Sequence, residues 1–134
     1  MTVRFLADTS AISRLQQAKV HARWHRAVAQ GVIGISDPAE LEVLRWVEGG
    51  QRRRAMQESL RTSYPWISTP DDIWQHAKAL QDRLGDRGLH NGASPVDLIV
   101  AITAERHHLT VLHDDRDFDV IARITGVRVR RIMD

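Results

Sequence analysis

The sequence predicts one α/β domain built on a small, mostly parallel sheet. Short apolar runs alternate with longer segments of helical periodicity, which is the pattern of β–α units. The chain has 134 residues, a length that suits one domain, and it shows no internal repeat or linker. Its apolar fraction of 43% and charged fraction of 27% are typical of a globular protein rather than a disordered one. We therefore expect a single domain over residues 1–134.

Four apolar runs are predicted strands, and a fifth run is doubtful. Each is short, rich in aliphatic or β-branched residues, and followed by residues that favour a turn or a helix start. The four strands are expected at residues 3–7, 32–36, 110–112 and 127–132, and the doubtful one at 66–68.

The predicted helices begin where capping residues precede a helical apolar pattern. Asp37 and Glu40 have the spacing of a capping box, and so do Ser94 and Asp97. The helices are expected at about residues 9–17, 21–30, 37–49, 51–62, 69–84, 94–108 and 116–124. The four tryptophans are expected to pack in the core or in a dimer interface; they are Trp24, Trp46, Trp66 and Trp74.

Composition excludes several classes of site. There are no cysteines, so disulfides, cysteine nucleophiles and thiolate metal sites are ruled out. Neither a signal peptide nor a membrane span is evident, and we expect a cytoplasmic protein without membrane contact. The net charge is +2, and 17 of the 19 cationic residues are arginines. This balance favours nucleic acid or acidic partners, although a solvated surface explains it equally well.

Carboxylates follow the predicted strands or begin the helices beside them. Asp8 follows the first strand, Glu42 lies in the helix after the second, and Asp97 opens the helix before the third. Four more acids follow the third strand, at Asp114, Asp115, Asp117 and Asp119. If the strands are parallel, these groups converge at one edge of the sheet. Oxygen ligands alone suit Mg²⁺ or Mn²⁺, and the chemistry indicated is metal-assisted hydrolysis of a phosphodiester.

Each acid except Glu42 also has a purely structural explanation. Asp8 can cap the helix at residue 9, Asp97 and Glu40 can complete capping boxes, and the acids after 113 can favour a helix start. Glu42 is flanked by apolar residues, where a carboxylate needs a partner. Only the repeated placement of acids at strand ends and helix starts favours a shared site.

Four segments form a series along the chain: LADTSAI (6–12), AELEVLR (39–45), ASPVDLIVAITA (93–104) and TVLHDDRDFDVIA (110–122). Together they resemble the PIN-domain ribonucleases, in particular the VapC toxins of prokaryotic toxin–antitoxin pairs. The resemblance covers nearly the whole chain. It implies a PIN-like three-layer α/β/α fold with a sheet of four to five strands and an acidic pocket for Mg²⁺ or Mn²⁺. It also implies an RNA substrate (tRNA, rRNA or mRNA), a cognate VapB-type antitoxin and a homodimer.

The resemblance assigns roles to individual residues. The implied catalytic residues are Asp8, Glu42, Asp97 and Asp115, and the implied metal ligands are Asp8, Asp97, Asp115 and Asp117. Glu42 positions or deprotonates the attacking water, and the Ser10 hydroxyl forms a hydrogen bond near the metal. Glu40 competes with Glu42 for its role, and Asp114 either tunes the site or is merely exposed.

Two other functions fit the fold class. One is a catalytically inactive PIN-like module that binds RNA or protein, which metal-dependent cleavage would exclude. The other is a phosphoaspartate receiver, which needs a lysine after a late strand. The only lysines are Lys19 and Lys78, and neither follows a late strand.

Overall fold

Four strands and seven helices alternate along residues 2–134, which are the residues that the computed structural model describes. In chain order they are β1 (Phe5–Ala7), α1 (Thr9–Leu15), α2 (Ala18–Ala29), β2 (Ile33–Ile35), α3 (Asp37–Leu44), α4 (Gly50–Ser63), α5 (Ile73–Gly85), α6 (Pro95–Arg106), β3 (Thr110–His113), α7 (Arg116–Thr125) and β4 (Val129–Arg131). Every predicted strand and helix is therefore present, with ends shifted by a few residues.

The sheet is entirely parallel and has the strand order β2-β1-β3-β4. Leu6 of β1 lies opposite Gly34 of β2 and Val111 of β3, so the carboxyl ends of these strands are level. The doubtful fifth strand is reduced to one parallel bridge between Ile35 and Trp66. The parallel register brings the residues that follow β1 and β3 to the same edge.

Helices cover both faces of the sheet and give the expected three layers. Ala7 and Leu112 contribute to a core that includes residues of α1 to α4, whereas Leu6 and Val111 contribute to a core that includes residues of α5 to α7. This alternation follows from the two-residue period of a strand. The apolar residues that recur at helical spacing along α5 are buried, at Ile73, Ala77, Leu80 and Leu84. Within residues 2–134, no helix is long and apolar enough to cross a membrane.

One predicted helix cap is wrong. Asp37 is the first residue of α3 rather than its N-cap, and Ser36 holds the N-cap position without a side-chain cap bond. Ser36 is fully buried at the end of β2, and the helix begins directly after it. Glu40 is consequently not part of a capping box. The capping box between Ser94 and Asp97 is confirmed.

Only one of the four tryptophans packs in the core as expected. Trp24 is 7% exposed and donates a hydrogen bond from Nε1 to the Ile132 carbonyl. Trp46, Trp66 and Trp74 are 62–73% exposed. Because α3 ends at Leu44, Trp46 falls in the connection to α4 instead of on a packed helix face. A dimer interface at the exposed tryptophans stays a prediction.

Candidate metal centre

Three aspartates from two segments meet at the carboxyl edge of the sheet. Asp97, Asp115 and Asp117 each offer a carboxylate oxygen, and these oxygens all lie within 4.8 Å of one another. Asp97 lies in the first turn of α6, and the other two lie at the start of α7, directly after β3. Oxygen ligands at this spacing suit a hard divalent cation such as Mg²⁺ or Mn²⁺. The donor set therefore fits the metal that the sequence predicts.

Asp8 lies beside this group, at the end of β1. It is 3% exposed, and its backbone N–H donates to the Leu112 carbonyl at 3.0 Å. Its carboxylate accepts the Ala11 N–H at 2.9 Å, and the Ser10 hydroxyl lies 2.8 Å from each of its oxygens. The negative charge of Asp97 is close enough to raise the pKa of Asp8. Ser10 is therefore within hydrogen-bonding distance of Asp8, which the resemblance implies as a metal ligand.

The structural explanations of these acids are correct, and they do not exclude a metal site. Asp8 and Asp115 are the N-caps of α1 and α7, and Asp97 completes the capping box of α6. The Asp97 cap bond uses Oδ2, which accepts the Ser94 N–H, and the Asp115 cap bond uses Oδ1. Each of these two bonds occupies a single oxygen, so one carboxylate can both cap a helix and face the cluster.

Burial and mutual repulsion raise the pKa of the clustered acids. Burial is the main reason that the pKa of Asp8 rises to about 6, against the opposing hydrogen bonds from Ala11 and Ser10. The pKa of Asp97 also rises to about 6, mainly through burial and further through the charges of Asp115 and Asp117. Burial and the neighbouring Asp115 raise the pKa of Asp117. A bound cation would relieve this repulsion, and raised carboxylate pKa values gathered at one place mark a candidate functional site.

The acidic segment after β3 divides into two pairs with different surroundings. Asp115 and Asp117 belong to the cluster described above, whereas Asp114 and Asp119 contact arginines. Arg14 Nε lies 2.6 Å from Asp114 Oδ2, and Arg131 Nη2 lies 2.6 Å from Asp119 Oδ2. The interpretation of the whole segment as one cation site is therefore too broad.

His113 is buried directly beneath this segment. It is fully inaccessible to solvent, and its Nδ1 accepts the Asp115 backbone N–H at 3.1 Å. Burial is the main reason that the pKa of His113 is lowered, and the charge of Asp119 opposes the shift. Nothing local in the sequence shows that this ring lies under the loop.

The two candidate glutamates have different neighbours, although they lie on one helix. Glu40 is 9% exposed, and its Oε1 lies 3.6 Å from Arg61 Nε of α4. Glu42 is partly buried and lines a groove together with Val96 and Ile99 of α6, which lie on either side of Asp97 in the sequence. Glu42 is therefore the glutamate that shares a groove with the helix carrying Asp97.

Gly92 is a site neighbour that the sequence reasoning missed. A Cβ atom on Gly92 would lie 2.9 Å from Asp117 Oδ1, which is closer than such contacts normally come. The loop before α6 thus packs its backbone against the cluster. The only signal in the sequence was a glycine in a loop that was already expected from its composition.

Comparison with known proteins identifies the family. The PIN domain family model matches residues 5–124. Ribonuclease VapC2 of Mycobacterium tuberculosis (strain CDC 1551 / Oshkosh) is 38% identical over 130 residues, covering 96% of this chain and 92% of that protein. Ribonuclease VapC21 of Mycobacterium tuberculosis (strain ATCC 25618 / H37Rv) is 33% identical over 125 residues, covering 93% of this chain and 91% of that protein.

Solved structures agree in fold. The DNA-bound VapBC structure from Salmonella typhimurium has a chain that matches with a TM-score of 0.79 at 18% identity, covering 98% of this chain and 99% of that one. The VapBC-1 structure from nontypeable Haemophilus influenzae matches with a TM-score of 0.77 at 17% identity, covering 98% of this chain and 100% of that one. At such identities the likeness concerns the fold alone, but the family match spans most of the sequence. This chain belongs to the PIN-domain family, and among its members it is similar to the VapC ribonucleases.

Proposed function

We propose that this chain is a metal-dependent endoribonuclease toxin of the VapC type, which hydrolyses RNA phosphodiester bonds and is restrained by a cognate antitoxin. The observation that carries the proposal is the meeting of Asp97, Asp115 and Asp117, with buried Asp8 beside them. Relatives that are 38% and 33% identical over most of the chain are named ribonucleases. The intact acidic cluster favours an active enzyme over a binding module that has lost catalysis.

The aspartates and Glu42 have different proposed roles in hydrolysis. Asp97, Asp115 and Asp117 hold the ion directly, and Asp8 holds it directly or through a water molecule. A bound Mg²⁺ or Mn²⁺ polarises the phosphodiester and lowers the pKa of the attacking water. Glu42 positions or deprotonates that water from α3. The products are a 5′-phosphate and a 3′-hydroxyl, as the family resemblance implies.

The proposed partners follow from the same site and from the relatives. Solved neighbours include the VapBC structures and a toxin–antitoxin complex from Klebsiella pneumoniae. The three clustered carboxylates, with Asp8 beside them, are complementary to a cationic side chain, so an antitoxin arginine placed there would block metal and substrate together. We propose a VapB-type antitoxin, an RNA substrate, a homodimer and a cytoplasmic location.

The test is cleavage of total cellular RNA by the purified protein, freed of any antitoxin, with Mg²⁺, with Mn²⁺ and with EDTA. We expect discrete products that disappear with EDTA and with Asp97→Asn. The control variant is Asp82→Asn, which removes one negative charge from an exposed position on α5 and should cleave at the wild-type rate. Equal circular dichroism spectra show that all the proteins are folded.

Three results would overturn the proposal. Cleavage that persists in EDTA would exclude a metal mechanism. Full activity of the Asp97→Asn variant would place the active site elsewhere. Metal-independent RNA or protein binding without any cleavage would indicate the catalytically inactive module instead.

A further inference from the structure

The imidazole of His113 is packed in the interior although it is a polar, ionisable group. It is the last residue of β3, is 0% exposed, and its ring centroid lies 5.4 Å from that of Phe118. A polar ring in such a place costs free energy unless its nitrogens are used. The contacts of the two ring nitrogens therefore show what this residue does.

One ring nitrogen fixes the backbone of a proposed metal ligand. Nδ1 lies 3.1 Å from the backbone nitrogen of Asp115. A backbone amide can only donate, so Nδ1 is the acceptor and the hydrogen of the neutral ring is on Nε2. Asp115 is the N-cap of α7 and has an extended backbone, with φ −146° and ψ 119°. The bond from its N–H to His113 thus sets the direction in which the Asp115 side chain leaves the turn.

The other ring nitrogen faces a pair of charged residues. Nε2 lies 3.5 Å from Asp119 Oδ1 and has no hydrogen-bond partner among residues 2–134. The second oxygen of Asp119 lies 2.6 Å from Arg131 Nη2 of β4. Asp119 lies one turn of α7 beyond Asp115. The ring therefore lies between the turn that carries Asp115, to which Nδ1 is hydrogen-bonded, and a carboxylate that is paired with the neighbouring strand.

We infer that His113 is a positioning residue, which holds the Asp115 carboxylate in the metal cluster and is itself oriented by Asp119 and Arg131. It touches no substrate and ligates no metal. Its role rests on the proposed function, because it acts through a carboxylate that binds the ion. A histidine that merely filled the core would affect stability and leave the affinity for metal unchanged.

The test compares two replacements of similar reach, His113→Asn and His113→Leu. The asparagine Oδ1 is the same number of bonds from Cβ as the histidine Nδ1, so it can still accept the Asp115 N–H. Leucine places a methyl group there and cannot. Both replacements remove the rest of the ring, so both should lower the free energy of unfolding in urea.

The readout is the affinity for Mn²⁺, measured by calorimetry on the folded proteins at pH 7.5. We expect His113→Leu to bind Mn²⁺ about tenfold more weakly than wild type, which is the usual size of an effect on ligand orientation. His113→Asn should recover most of that loss. In RNA cleavage, His113→Leu should lower kcat more than it changes KM.

A second pair of variants tests the same role if the proteins with a replaced His113 do not fold. Asp114 and Asp119 both face Arg131, at 3.9 Å and 2.6 Å, and only Asp119 faces His113. Asp119→Ala and Asp114→Ala each remove one negative charge. Both residues lie in the short segment between the end of β3 and the first turn of α7. We expect the larger loss of Mn²⁺ affinity in Asp119→Ala.

The outcomes separate this role from the proposed function. Equal Mn²⁺ affinities of the asparagine and leucine variants, or equal effects of the two alanine variants, would overturn the role of His113 alone. A wild-type protein that neither binds Mn²⁺ nor cleaves RNA would overturn the proposed function, and the role of His113 with it.

Discussion

The hydroxyl of Ser10 joins the Asp8 carboxylate to the loop after β3. Its Oγ donates to Asp8, lying 2.8 Å from each oxygen, and accepts the backbone N–H of Asp114 at 2.9 Å. These two contacts connect the first helix with a segment about a hundred residues away in the sequence. A single side chain thus couples the buried acid to the turn that carries Asp115 and Asp117.

Replacing Ser10 by alanine should weaken metal binding and slightly destabilise the fold. The hydrogen bond from Ser10 lowers the pKa of Asp8, so its loss raises that pKa further and leaves less carboxylate ionised. We expect about tenfold weaker Mn²⁺ binding at pH 7 and a loss of about 1 kcal/mol in the free energy of unfolding. Calorimetry and urea unfolding measure the two effects. Ser13→Ala on the exposed face of α1 is the control, and an equal loss there would refute the role of Ser10.

Asp97 should make the metal-free protein less stable as the pH rises. Its pKa in the folded state is about 6 against an ordinary value of 3.8, so the folded protein holds this proton more tightly than the unfolded chain does. The stabilisation from that proton is present below pH 3.8 and is lost as the pH rises to about 6. Asp97→Asn cannot titrate, and its amide oxygen can still accept the Ser94 N–H.

We therefore expect the unfolding free energy of Asp97→Asn to rise relative to wild type between pH 4 and pH 7, by about 1 kcal/mol once screening by water is allowed for. Urea unfolding without metal at several pH values measures the difference, and Asp82→Asn controls for the loss of a charge. Added Mn²⁺ should stabilise wild type more at pH 7 than at pH 5, because protons compete for the same oxygens. A difference between the two proteins that did not change with pH would contradict the raised pKa.

A methyl group on Gly92 should disturb the cluster without unfolding the protein. The new Cβ would lie 2.9 Å from Asp117 Oδ1, so the carboxylate has to move away. We expect Gly92→Ala to bind Mn²⁺ several-fold more weakly than wild type, with little change in melting temperature. Gly85→Ala is the matched control, since its Cβ would meet only the His90 ring at an ordinary 3.8 Å. If Asp117→Asn lowered the affinity for Mn²⁺ equally in wild type and in Gly92→Ala, Gly92 would not act through Asp117.

The two glutamates of α3 should give opposite results. Glu42→Gln removes the group proposed to act on the attacking water, so RNA cleavage should fall about a hundredfold while stability stays unchanged. Glu40→Gln removes the ion pair with Arg61 and should cost up to about 1 kcal/mol of stability while cleavage continues. Single-turnover cleavage and urea unfolding on both variants make the comparison. Loss of cleavage in Glu40→Gln with full activity in Glu42→Gln would exchange the two roles.

Local signals predicted most of the fold. The capping box of α6 and the buried stripe of α5 depend on residues three or four apart, which a sequence shows directly. The N-cap of α3 was misassigned because Ser36 and Asp37 are both good N-cap residues, and the burial of Ser36 at the end of β2 decides between them. The choice depends on packing that neighbouring residues do not reveal.

The division of the acidic segment needed the structure. Four aspartates within six residues look alike in sequence, and what separates them is the position of two arginines. Arg14 lies on α1, 100 residues before Asp114, and Arg131 lies on β4, 12 residues after Asp119. The parallel strands bring all four aspartates to one edge of the sheet, and the ion pairs separate Asp114 and Asp119 from the two aspartates of the proposed site.

The strand order also has a consequence for synthesis of the protein on the ribosome. β1 is made first, yet it lies between β2 and β3, and β3 is made only after α6. Asp8 and Asp97 are therefore synthesised before the turn that supplies Asp115 and Asp117. A nascent chain that lacks this turn has Asp8 and Asp97 without the rest of the proposed metal centre. The proposed centre is therefore completed only when the segment after β3 has been made.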